Sequence, residues 1–379
     1  MLTAIVLVLN TLLFTIYLFI RIPKLNLSQD LSIEDKMTAI DHWLTNVYKV
    51  GKFNGAVLLA QKGEVLFHKP FGYSDESEST LLNERSSFNL ASVSKQFTAM
   101  GILILEHRGQ LSLEDPLANH IPELSFYSGI TIRHLLNHTS GLPDYMRVVS
   151  SFYKEEKLIT TDKVLAAFQS QKPSSQFEPG AKFAYSNTGY VVLAEIIHRV
   201  SGQSFPDFMS EAVFLPLNMR DSQIFNLLSA QEPEFRVFGY GKKHGLFGGA
   251  KQSKDLNEMD GVYGDGSVYS SASDLALWDK ALYQGTLLPL DKIQQAFEPT
   301  QLNSGKLSRY GFGWVIDPQR QSVEHAGGWQ GFSSFIYRDL TNESLIVILD
   351  NSSNALRVPA FGFLFNSIAK NLKKAMTTA

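Results

Sequence analysis

Ser92 and Lys95 stand three residues apart at the start of a strongly helical run, Val93 to Arg108. That spacing puts a hydroxyl and an amine on one helix face, one turn apart. A serine with an amine beside it can be a nucleophile with its own base, the chemistry of acyl transfer. The tetrapeptide alone is weak, because Ser151/Lys154 and Ser367/Lys370 repeat its spacing. Two other patterns follow it in order. Tyr185-Ser186-Asn187 is the single Y-x-N of the chain, and His325-Ala326-Gly327 lies in a strand-rich tail. His107-Arg108-Gly109 also reads H-x-G, but it closes a helix and precedes Tyr185.

Positioning these residues needs a framework, and the hydrophobic pattern supplies one. A helix is expected from about Ser32 to Val50, opened by the capping sequence Ser32-Ile-Glu-Asp35. Two alternating runs, 55–60 and 64–67, are split by Lys62-Gly63 and read as a β-hairpin. The run after Ser92 is apolar nearly all round and stops at Gly109, as a helix buried at a domain centre would. From Leu113 to about Pro299 the pattern is mostly helical, with helices expected at Val191–Val200 and Ala272–Leu282. The stretch 225–262 has weak periodicity and reads as a long functional loop. Strand signals return at Tyr310–Ile316, Ser322–His325, Gly331–Tyr337 and Ser344–Asp350, and Arg357–Lys374 is a final amphipathic helix. Strands at both ends and helices between them predict an α+β fold. One antiparallel sheet from the N- and C-terminal segments is flanked by helices and carries an inserted, mostly helical region. The sheet part is expected over about 35–110 and 300–379, and the helical part over about 111–299.

Composition narrows the class. The chain of 379 residues is 44% apolar and 19% charged, with a net charge of -3 and no long basic run, so a nucleic-acid surface is not expected. It has no Cys, which excludes thiol nucleophiles, thiolate metal sites and disulfides. Leu2 to Ile20 is uncharged and apolar but for Thr3, Asn10, Thr11 and Thr15. As a helix it would span roughly 30 Å, so residues 1–22 are expected to be a transmembrane anchor and 23–34 a tether. A cleaved signal peptide is the competing reading. No basic segment precedes the run and no small-x-small site follows it. Arg21 and Lys24 on the domain side argue mildly for a cytoplasmic domain.

The three ordered patterns have company in Ile130-Thr-Ile-Arg-His-Leu-Leu-Asn-His-Thr-Ser-Gly-Leu-Pro143, Phe177-Glu-Pro-Gly180 and Tyr310-Gly-Phe-Gly-Trp314. With them, residues 35 to 355 resemble the serine β-lactamase and penicillin-recognising hydrolases. The nearest branch is that of class C β-lactamases, D-alanyl-D-alanine peptidases and esterases. The resemblance implies a β-lactamase/transpeptidase-like fold over 35–379 and a serine hydrolase acting through an acyl-serine intermediate on an ester, amide or D-amino-acid peptide. It implies no metal or cofactor, and a domain on the periplasmic or extracellular side. Ser92 would attack a carbonyl carbon, with Lys95 or Tyr185 taking its proton. Asn187 would hydrogen-bond Lys95 and a substrate amide. The backbone N–H groups of Ser92 and Gly328 would form an oxyanion hole, with Gly327 and Gly328 letting substrate approach the strand.

One departure matters. Relatives usually carry Lys-Thr-Gly or Lys-Ser-Gly where this chain has His325-Ala-Gly327. A histidine would grip a substrate carboxylate only below roughly pH 6.5, which argues against an efficient β-lactamase and for an esterase or peptidase. A non-catalytic binding or scaffolding relative is the competing class. Taken singly, Ser92 reads as an N-cap, Tyr185 as a packed aromatic and His325 as a strand-edge histidine; together they read as a site. His134 and His138 have i, i+4 spacing but no Glu between them, so capping or loop bracing is expected rather than zinc. Tyr145, Trp329 and Phe332 read as core, with Tyr145 and Trp329 also candidates to line the cleft.

Overall fold

The computed structural model describes residues 22, 24–28, 30–242, 250–353 and 362–377. The expected anchor lies outside the described residues except for Ile22. Among the described residues no helix is long and apolar enough to cross a membrane. The tether lies against the body of the domain: Leu25 is buried, and its N–H donates to Asn371 Oδ1 at 2.8 Å.

Helix α1 (Ile33–Lys49) begins at Ser32, whose hydroxyl accepts from Asp35 N at 3.1 Å. It buries Ile40, Trp43, Leu44 and Val47, the 3–4 spacing of one helix face. The hairpin follows as β1 (Gly55–Gln61) and β2 (Glu64–Phe71). Helix α2 (Lys95–His107) comes next, preceded by a tight 3₁₀ turn over Ala91–Ser94. In the helical part, α3 (Asn187–Ser201) and α4 (Ala272–Gln284) are capped by Ser186 and Ser271. Strands β3 (Val315–Asp317), β4 (Ser322–Trp329), β5 (Phe332–Asp339) and β6 (Ser344–Asp350) close the sheet, and α5 (Gly362–Thr377) ends the chain.

The expected sheet forms, six strands in the order β3-β4-β5-β6-β1-β2, all neighbours antiparallel. Gly55 pairs with Asp350 and Gln61 with Ser344, so the first and last strands of this sheet in chain order are neighbours in its interior. Period-2 alternation divides each central strand between two cores. Val57, Leu59, Ile346 and Ile348 face α1 and α5. Leu58, Val347 and Leu349 face the other side, where α2 runs with every residue from Lys95 to Leu105 buried.

Two strand expectations shift. Of the expected 310–316 strand only Val315 and Ile316 lie in the observed one, which runs on to Asp317, because Gly311-Phe-Gly313-Trp314 is a turn lying on the first turn of α2. Gly313 has φ +79°, and a Cβ there would meet Gln96 N at 2.8 Å. The strand expected to stop at His325 continues to Trp329, and this extension carries Gly327 and Gly328 past Ser92. The 225–262 stretch holds a short antiparallel pair, Tyr240–Lys242 with Lys251–Ser253; residues 243–249 lie outside the described residues.

Beneath the sheet, Arg338 is fully buried and its Nε donates to Asp279 Oδ1 at 2.5 Å, with Tyr283 stacked 4.2 Å away. Removing one partner strands the other charge in the core. Arg338→Met is expected to lower the unfolding free energy by about 3–5 kcal/mol. Adding Asp279→Leu should recover much of it, measured by urea denaturation; an equal loss in both variants would refute the pairing argument.

Candidate active site

Ser92 sits where a short strand, Phe88–Asn89, turns into α2. The turn is held by Asn89, whose Oδ1 accepts from Ala91 N at 2.8 Å. Ala91 takes φ +47°, a left-handed conformation that costs a non-glycine residue about 1–3 kcal/mol and must be over-determined by its surroundings. The result is a half-buried Ser92 above a fully buried Lys95. Lys95 Nζ donates to Ser92 Oγ at 3.1 Å and to the Asp265 carbonyl at 2.7 Å. One turn further, Thr98 Oγ1 donates to Gly264 O at 2.7 Å, so the 264–265 backbone is fastened to the same face of α2.

Tyr185 reaches this pair from the segment before α3. Its ring lies 5.0 Å from Lys95 Nζ, and 44% of the residue is exposed. His138 holds the backbone on both sides of it: Ala184 N donates to His138 O at 2.9 Å, and Ser186 N donates to His138 Nδ1 at 3.2 Å. The imidazole packs 4.3 Å from the Tyr185 ring and 4.5 Å from the Tyr310 ring. Burial, with Lys95 and His325 nearby, pushes His138 well below the usual histidine range. Accepting at Nδ1 requires that nitrogen to be unprotonated, which agrees. His134 caps its short helix with Thr131, as expected for a bracing residue.

Strand β4 passes directly beside the Ser92 turn. A Cβ on Gly327 would meet Leu90 O at 2.4 Å and Ser92 N at 3.0 Å, so only glycine allows this approach. Gly328 faces open space. His325 does not act as expected. It is buried, its Nε2 shares a hydrogen bond of 2.8 Å with Tyr310 OH, and its Nδ1 lies 2.8 Å from Ala326 O. A carbonyl can only accept, so Nδ1 carries the proton and Nε2 accepts from the tyrosine. Burial, then Lys95, lowers its pKa to about 3. His325 is therefore neutral across the ordinary range, and the carboxylate grip that would fade above pH 6.5 is absent at any such pH. It instead backs Tyr185, 6.2 Å between ring centroids.

A cleft of about 240 Å³ opens beside Ser92, lined by Asn187, Gly328, Tyr145, Met146, Met259, Val262, Trp329, Asp260 and Asp265. Tyr145 and Trp329 line it, and Phe332 is core. Asn187 is there too, but its expected bond to Lys95 is not made. The Lys95 bonds go to Ser92 and Asp265, and the buried Asn187 Oδ1 has no partner among the described residues. Sequence reasoning did not single out Asp260, Asp265 or Tyr310's bond to His325.

Most of the chain is similar to known proteins. A family model described as Beta-lactamase matches residues 41–362. Penicillin-binding protein 4* of Bacillus subtilis (strain 168) is 39% identical over 309 residues, 79% of this chain and 68% of that protein. The structure of a penicillin binding protein from Bacillus halodurans superposes with a TM-score of 0.74 at 24% identity, covering 88% of this chain and 98% of that one. A D-amino acid amidase from Ochrobactrum anthropi SV3, complexed with L-phenylalanine amide, gives a TM-score of 0.70 at 22% identity over 91% and 99%.

The neutral His325 has a stability consequence. Its folded pKa of about 3 lies below the unfolded value near 6.5, so between these pH values the unfolded chain binds the extra proton. This contribution is lost as pH falls through that window, by at most about 1.4 kcal/mol per pH unit for one proton. Relative to His325→Gln, which keeps an acceptor for Tyr310, the wild type should lose stability more steeply from pH 6 to 4. Urea denaturation at both pH values checks this; parallel pH dependences would refute it.

Proposed function

The chain belongs to the Beta-lactamase family, and from that premise we propose that it is a hydrolase whose nucleophile is Ser92 and whose substrates are esters or amides of small acyl groups. The observation that carries this is the 3.1 Å contact between a half-exposed Ser92 Oγ and a fully buried Lys95 Nζ. In the reaction the contact runs in the other direction, with Oγ–H donating to the amine. The oxygen then attacks the carbonyl carbon, and the negative oxygen of the tetrahedral intermediate is held by the N–H groups of Ser92 and Gly328. Such donors are typically worth ~3 kcal/mol each. The bond to the leaving group breaks as that group takes the proton, by way of Lys95 or Tyr185. Water then attacks the acyl-serine and returns the proton to Ser92 Oγ. Tyr185 is suited to the relay, with its ring beside Lys95 and one edge in solvent.

Among the described residues that line the cleft none offers a cation to a substrate carboxylate, which supports an esterase or amidase over an efficient β-lactamase. A D-amino acid amidase sharing the fold is compatible with that reading. A membrane-tethered domain on the outer side of the membrane belongs to the same proposal. An alkaline phosphatase reporter fused after residue 379 should be active, and activity only of a cytoplasm-dependent reporter would overturn this placement.

A fluorophosphonate probe should label the wild type and not Ser92→Ala. Lys95→Ala should lower kcat/KM on p-nitrophenyl esters by about 10²–10⁴-fold, while nitrocefin turnover by the wild type stays slow. Equal labelling of Ser92→Ala would sink the nucleophile assignment, and fast nitrocefin turnover would sink the substrate preference.

A further inference from the structure

A groove of about 1160 Å³ lies between the 22–26 segment, α5 and the β3–β4 turn. Phe335 and Tyr337 of β5 line it, and both belong to the core under α1 and α5, on the face of the sheet away from α2. Five cations line this groove, Lys24, Arg320, Lys370, Lys373 and Lys374, against two acids, Glu324 and Asp339. The whole chain carries a net charge of -3, so the positive excess is local.

Both acids are taken up within the fold. Glu324 is bound by Lys373, whose ammonium also lies 4.7 Å from the Tyr337 ring. Asp339 accepts from Thr341 N, Thr341 Oγ1 and Asn342 N in its own turn. Lys24 and Lys370 are exposed and take part in no ion pair within 4.0 Å among the described residues. Arg320 meets Asp317 at 3.6 Å, but its side chain is 65% exposed, and a pair so open to solvent is weak.

Packing decides where this charge points. Helix α5 buries Ile368, Leu372, Ala375 and Met376, and that one-sided burial turns Asn366, Lys370 and Lys374 outward. The chain enters at the same place. Ile22 and Leu25 are buried in one apolar cluster with Ile368 and Leu372, and Asn371 holds the Leu25 N–H. The segment before α1 is thus packed onto the domain and is not a slack leash. Ile22 comes two residues after Ile20, where the uncharged apolar run of the sequence ends. Two residues of chain span at most about 7 Å, within the electrostatic screening length of about 8 Å at physiological salt. With that run in a bilayer, the groove begins at the headgroups.

We propose that this groove is a lipid-headgroup site: the face made by the 22–26 segment, α5 and the β3–β4 turn lies on the bilayer, and Lys24, Lys370 and Arg320 hold the phosphates of anionic phospholipids. The domain is then held in one orientation and does not turn freely on its anchor. This rests on residues 1–22 being a membrane anchor, and it needs only anionic headgroups in the leaflet that the domain faces. Each lysine or arginine close to such a surface strengthens binding about fivefold.

The chain has no cysteine, so a single introduced one can carry a fluorophore. The full chain with Asn366→Cys, an exposed position of the groove, is placed in nanodiscs whose lipids bear a headgroup spin label that quenches the dye. Leu215→Cys, 70% exposed in the helical part, is the remote site. Quenching at 366 should be at least about twofold stronger with one third phosphatidylglycerol than with phosphatidylcholine alone. It should return to the phosphatidylcholine level in about 0.5 M salt, and in Lys24→Gln combined with Lys370→Gln. Quenching at 215 should stay low throughout. Equal quenching at 366 in both lipids overturns the proposal, and is also what a site for free phosphate would give. Lipid-dependent quenching that the double variant keeps overturns it as well. Thermal unfolding shows that the variant is folded; should it fail that check, Lys370→Gln with Arg320→Gln is used, with the same expectation. A chain washed off liposomes by alkaline carbonate overturns the anchor reading and this proposal with it, a result distinct from a retained chain whose groove ignores lipid charge.

Discussion

Lys95 is a basic side chain with no solvent exposure, on a helix buried from end to end. An amine in that position must have its donors met, because burying a polar group without hydrogen bonds costs several kcal/mol. The partners that meet them are Ser92 Oγ and the carbonyl of Asp265. Satisfying one buried group therefore ties together three parts of the chain: the turn before α2, the helix itself and the 264–267 loop. Thr98 repeats the fastening one turn on. The same bonds that make the burial tolerable also hold the hydroxyl beside the amine, so stability and chemistry depend on one arrangement.

Close approach is the second constraint. Strand β4 lies against the Ser92 turn, and the Gly311–Trp314 turn lies against the first turn of α2. In both places a Cβ would overlap backbone atoms, at Gly327 and at Gly313. The sheet can therefore bring Gly327 against the Ser92 turn only because β5 and β6 hold β4 in a fixed register, Gly327 opposite Ser334. Ser334 Oγ adds to this by donating to Leu90 O at 2.5 Å, two residues before Ser92.

The electrostatic character of the site follows from burial rather than from residue type. Lys95 lies close enough to His138 and His325 to disfavour their protonation, and both imidazoles are out of water. They become neutral packing and hydrogen-bonding groups around Tyr185. The cleft on the other side of Ser92 keeps two acids. Among the described residues the ionisable side chains that line it include Asp260 and Asp265, and His325 is not one of them.

Much of this was legible in one sequence, and the limits have physical causes. Period-2 and 3.6 patterns located α1, the hairpin, α2 and the late strands, because a half-buried strand and a buried helix leave different apolar spacings. The ordered motifs of Ser92, Tyr185 and His325 were found because each is compressed into three or four adjacent residues. The Tyr310–Ile316 strand shortened to its last two residues because a glycine turn against a helix has the same local composition as a strand edge. The role of His325 failed because a pKa depends on what lies around the ring, and Tyr310, Lys95 and Ala326 arrive there from other elements. Asp260 and Asp265 carry no local mark of a site, since facing a cleft is a property of packing. The sequence by itself determined which elements form and which serine and lysine are one turn apart. Only the tertiary structure decided which groups lose water, which remain unpaired, and therefore which charged side chains line the cleft beside Ser92.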